Sequence, residues 1–167
     1  MKFGLNEIDD RDRECIAQQL GREPRGLAAI AARCACSAPL VVATEPRLPD
    51  GTPFPTTYYI TCPRLSGAIG TLESSGLMKE MQDQLSIDPE LAHSYERAHQ
   101  KYLADREALG KVPELEGISA GGMPDRVKCL HVLVGHSLAA GPGVNPLGDQ
   151  ALDLLEPWWV PESCCNE

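Results

Sequence analysis

Apolar positions along the chain fall into short blocks whose spacing changes from helical to alternating and back. Residues 7–20 (EIDDRDRECIAQQL) place Ile8, Cys15, Ile16 and Leu20 at helical intervals, and Gly21 is a natural stop. Gly26 to Ala32 is a short apolar run bounded by Pro24 and Gly26 and reads as a strand. Leu40 to Thr44 is a second strand, favoured by Val41 and Val42. The prolines and Asp50-Gly51 of segment 46–55 carry turn chemistry. TTYYIT (56–61), β-branched and aromatic and ended by Pro63, is the clearest strand.

The rest of the pattern is helical. Leu65, Ile69, Leu72, Leu77, Met81 and Leu85 approximate one stripe, weakened by Gly67, Gly70 and Gly76. Asp88-Pro89-Glu90 opens a second helix, on which Leu91, Tyr95, Ala98, Tyr102 and Leu109 recur. After the Gly-rich connection 110–123, Pro124-Asp125 predicts a helix running to Ala140, apolar nearly all round and therefore buried. A last short helix is expected at 149–155. The fold expected is α+β: one domain over 1–156, with about three antiparallel strands packed against four to five helices. An irregular tail follows at 157–167.

Composition narrows the function classes. The 167 residues carry 15 Lys+Arg against 24 Asp+Glu, a net charge of −9. That balance argues against nonspecific nucleic-acid binding, which needs clustered cations to neutralise phosphates. No run of about 18 apolar residues is present to span a membrane. The start, MKFGLNEIDDRDREC, has no apolar core behind Lys2 such as a secretory leader requires. The expectation is a cytoplasmic protein with reduced thiols. Neither GxxxxGK[ST] nor a strand–GxGxxG–helix is found, nor GxSxG or HExxH.

Seven cysteines are the unusual feature. Cys34 and Cys62 follow predicted strands, and Cys129 lies on the predicted buried helix, in KCLH. Thiolates are soft ligands suited to zinc or an iron–sulfur cluster. Three of them with His131 would complete a tetrahedral zinc site. Helix geometry resists that set. Cys129 and His131 differ by about 200° on an ideal helix and point apart unless the helix begins later. Cys129 and His136 share a face but stand roughly 10.5 Å apart along the axis. The plainer reading is that the cysteines are buried, reduced thiols.

Other side chains suggest acid–base or anion chemistry. His99, Tyr102 and Arg106 share a helix face at i, i+3 and i+7, placing a proton carrier beside an anion holder. Arg126 and Lys128, at the predicted start of the buried helix, are candidates to bind an anionic cofactor or substrate. Trp158-Trp159 in the tail is a candidate contact for a protein partner, since Trp is enriched at binding hot spots.

GTPFPTTYYITCP (51–63), GISAGGMPDRVKCLHVLVGHSLA (117–139) and NPLG (145–148) together resemble the bacterial domain-of-unknown-function family numbered 501. The resemblance runs from about Arg25 to Gly148, and the order TCP, KCLH, NPxG is its specific part. The Arg- and Ala-rich composition resembles that of actinobacterial members. The family carries no assigned reaction. Its pattern points to Cys34, Cys62 and Cys129 together with His131 and His136, and also matches His99 and Arg106; Cys36 is not required. A metal site is expected at Cys34, Cys62, Cys129 and His131, with His99, His136 and Arg106 as catalytic candidates. The expected function is a small cytoplasmic protein with a Cys-based site for zinc or an iron–sulfur cluster. The alternative is a non-enzymatic interaction protein with buried reduced cysteines, and a thiol redox role is a third possibility.

Overall fold

A computed structural model describes residues 5–158. Helix α1 spans Asp10–Leu20. Asp9 caps it by accepting from the Asp12 N–H at 2.7 Å, and Gly21 ends it in the left-handed conformation (φ 66°). Strands β1 (Leu27–Arg33), β2 (Pro39–Thr44) and β3 (Tyr58–Ile60) form an antiparallel sheet in the order β1-β2-β3. Ile16 of α1 seals one face of this sheet against Ile30 and Val42. The main core fills the other face, where Leu40, Val41, Tyr58 and Ile60 meet the remaining helices.

Those helices are α2 (Pro63–Ser74), α3 (Leu77–Ile87), α4 (Pro89–Leu109), α5 (Leu130–Ala140) and α6 (Pro146–Asp153). The single stripe expected over 65–85 is two helices. The chain breaks at Gly76, whose φ of 91° is a conformation that L side chains avoid. Six helices among the described residues therefore stand where four to five were expected, and the last begins at Pro146 rather than 149. Helix α5 packs on β3 and α6, and α6 approaches so closely that a Cβ on Gly148 would lie 2.2 Å from the Leu133 carbonyl oxygen.

The largest departure from the sequence pattern is the start of α5. Pro124-Asp125 does not open it; the helix begins at Leu130. Several backbone groups of residues 125–128 are paired elsewhere. The Gln82 side chain of α3 donates to the Asp125 carbonyl (3.0 Å) and accepts from the Val127 N–H (2.9 Å). Tyr95 of α4 donates its hydroxyl hydrogen to the Arg126 carbonyl (2.9 Å), and the Lys128 N–H donates to the Gly121 carbonyl (2.8 Å). A backbone already paired this way gains nothing from helical bonds. No helix among the described residues is long and apolar enough to cross a membrane.

Candidate metal centre

The late start of α5 brings Cys129 and His131 together. Cys129 is the extended residue just before the helix, with φ −156° and ψ 111°. The 200° separation that an unbroken helix imposes does not apply to it. Both side chains meet Glu73 of α2. One ligand atom from each of Glu73, Cys129 and His131 lies within 4.8 Å of the other two, the one such group of three among the described residues. All three are half-buried.

Helix α2 holds the imidazole lengthwise. Ser66 and Glu73 are seven residues apart and so share a face, two turns from each other. His131 Nδ1 lies 3.1 Å from Glu73 Oε1, while Nε2 lies 3.1 Å from the Ser66 carbonyl oxygen and 3.2 Å from its hydroxyl. The carbonyl oxygen only accepts, so Nε2 carries a proton and donates it. Glu73 Oε1 also accepts from the Leu130 N–H at 2.7 Å, capping α5 where Cys129 supplies no side-chain cap.

Electrostatics follow from these contacts. His131 is pushed up to about 9, first by its hydrogen bond with Cys129 and, against the opposing effect of burial, by the bond and charge of Glu73. Burial raises the Glu73 carboxyl, but the bonds from His131 and Leu130 outweigh it and hold the group below its ordinary value. At neutral pH an imidazolium thus sits between a carboxylate and a thiol-bearing side chain.

The other expected site residues lie elsewhere. Cys34 and Cys62 are buried in the main core and do not join Cys129, which corrects the three-thiol ligand set. Cys34 follows β1 and Cys62 immediately precedes α2 next to β3, whereas Cys129 meets α2 at Glu73, in its last turn. His99 Nδ1 lies 2.9 Å from the Ser119 hydroxyl, and Arg106 donates to the carbonyls of Ile118 (2.5 Å) and Leu115 (2.6 Å). That face of α4 therefore anchors the 113–119 loop. His136 is fully buried; its Nδ1 accepts from the Asn145 amide at 3.2 Å, and its ring stacks on Tyr58 (5.8 Å, 11°) and meets Tyr102 edge-on (5.1 Å). Arg126 and Lys128 are exposed and precede α5 instead of heading it, so the expected anion site at a helix N-terminus does not form. Trp158 packs against the main core. Trp159 and the Cys164-Cys165 pair lie outside the described residues.

Glu73 was missed in the sequence. Its one signal is that it is the sole carboxylate on α2. Residues 30–153 match the family described as Protein of unknown function (DUF501). The chain belongs to this family. No curated protein and no solved structure matches it. The family match contains every member of the Glu73, Cys129, His131 group and the Ser66 that steadies the ring, while α1 lies wholly before it.

Proposed function

We propose that Glu73, Cys129 and His131 bind a single zinc ion through one carboxylate oxygen, one sulfur and Nδ1. The observation that carries this reading is the convergence of the three ligand atoms within 4.8 Å. Zinc bonds of about 2.0–2.3 Å in a tetrahedron put ligand atoms about 3.3–3.8 Å apart. The Nδ1 to Oε1 distance of 3.1 Å is near that span already, so small side-chain rotations suffice. The bond from Nε2 to the Ser66 carbonyl is the outer contact that metal-bound histidines use to fix tautomer and ring orientation. One thiolate favours a mononuclear ion over an iron–sulfur cluster, which takes several.

Three protein ligands at a half-exposed place leave a fourth position for water or a substrate atom, the pattern of catalytic rather than structural zinc. Zinc there supplies Lewis acidity. The chain's own part is to hold the donors: Glu73 from α2, Cys129 and His131 from the head of α5, and Ser66 behind the ring. For the interaction-protein alternative, Trp158 is a half-buried residue packed against the core, and Trp159 lies outside the described residues.

The proton on Nδ1 competes with the metal. With His131 pushed up to about 9, and with the Cys129 thiol also giving up its proton on binding, apparent affinity is expected to rise steeply as pH increases from 7 toward 9. The test is metal analysis of the purified chain together with competition against a chromophoric chelator. About one equivalent of zinc is expected, with Cys129→Ser and His131→Ala each weakening binding by more than the roughly 10–100-fold that loss of an outer hydrogen-bond partner costs. Less than about 0.2 equivalent with no competition, or variants that bind as well as the parent, would overturn the site.

A further inference from the structure

Helix α1 faces the turn between β1 and β2 across a cavity of about 460 Å³. Two fastenings set their relative position. Asp12 accepts two 2.8 Å bonds from the Arg33 guanidinium, and Gln19 donates to the Pro39 carbonyl at 2.9 Å. Arg33 and Pro39 are the residues immediately before and after the turn 34–38. Cys15 lies between Asp12 and Gln19 on α1, three residues from one and four from the other, and so faces the same way. Cys36 is the central residue of the turn. Both cysteines are half-buried, neither is in a disulfide, and both line the cavity.

We propose that Cys15 and Cys36 are a redox pair, closed by a peroxide to an intramolecular disulfide that latches α1 onto the β1–β2 turn. Burial, with the charges of Asp12, Cys36 and Cys62 behind it, raises the Cys15 thiol, which keeps it protonated and slow. The first step is assigned to Cys36, the central residue of the turn. Its sulfur attacks a peroxide oxygen, the O–O bond breaks, and hydrogen peroxide leaves one water and a sulfenic acid. Cys15 sulfur then attacks the Cys36 sulfur, the S–OH bond breaks, and hydroxide departs with the Cys15 proton as a second water. Two thiols are oxidised by two electrons in total and one peroxide is reduced.

The latch adds a covalent bond to the two polar fastenings. It acts on a helix outside the residues that match the family, so it governs an attachment of this chain and not the zinc centre. The experiment treats the full chain with a few equivalents of hydrogen peroxide and maps disulfides by non-reducing peptide mass spectrometry. The expected product has lost two hydrogens and yields a linked peptide containing Cys15 and Cys36. In Cys15→Ser, the Cys36 sulfenic acid persists, and its labelling by dimedone rises severalfold over the parent. The same linkage forms in Cys129→Ser, which separates the latch from the metal centre. Pairing of Cys36 with Cys34 or Cys62, oxidation to sulfinic acid without pairing, or dimedone labelling that does not depend on Cys15 would overturn the proposal.

Discussion

His131 and His136 stand five residues apart on α5 and hold different charge states, one cationic and one neutral. His131, with about a third of its side chain exposed, has Glu73 and Cys129 as neighbours and is pushed up to about 9. His136 has no exposed surface, packs between Tyr58 and Tyr102, and is pushed down to about 3 by burial, with a smaller effect from the Lys101 charge. One helix thus carries a cation at its head and a neutral aromatic-like ring in its middle. The difference lies in what each ring touches: the Cys129 bond first, and then the Glu73 bond and charge, offset the cost of charge at His131, and two phenol rings do not do so at His136.

The comparison breaks most visibly at His136. His136→Ala removes a fully buried ring and strands the Asn145 amide, and is expected to cost about 3 kcal/mol in urea unfolding. His131→Ala, at a half-exposed place, should cost far less, and on the zinc proposal it also weakens metal binding. Equal stability losses would show that the two environments do not differ as described.

Stability against pH separates them next. The unfolded state binds a proton at His136 below about 6.5 and the folded state does not, so folding weakens as pH falls, by about 2 kcal/mol between 6.5 and 5. His131 has the opposite sign. Its contribution is complete below about 6.5 and is lost as pH rises through about 9, amounting to about 1–2 kcal/mol after solvent screening. Measured on apo protein from pH 5 to 9, His136→Ala should flatten the acid limb and His131→Ala the alkaline limb. A reversed pairing would refute the assignment.

The smallest effect is the sharpest. Glu73→Gln should lower the His131 pKa by about one unit in an NMR titration, and Cys129→Ser should lower it more, since the Cys129 bond is the larger cause. The opposite ranking would make the carboxylate the principal partner.

Much of the fold is legible in the chain. Gly21 ends α1 as expected, though the helix begins at Asp10 and not at residue 7; Asp88-Pro89 opens α4, and the three strands lie within two residues of their expected limits. The site was half legible. KCLH draws attention to Cys129 and His131, but local helix rules set them apart, because the bonds that delay α5 come from Gln82 and Tyr95, more than 30 residues earlier. Glu73 is invisible for the same reason: a carboxylate on an amphipathic helix reads as solvent-facing until α5 is laid against it. Cys34 and Cys62 mislead because strand ends look like places of convergence, whereas both fill the core.

Gln82 carries a consequence beyond its two hydrogen bonds. By occupying the Asp125 carbonyl and the Val127 N–H, it sets the residue at which α5 may begin. Moving that origin by one residue turns everything behind it by about 100°. A neutral amide on α3 thus works as an index mark for the α5 screw, and a neighbouring helix that slips is read out as lost ligand geometry at a centre it never touches.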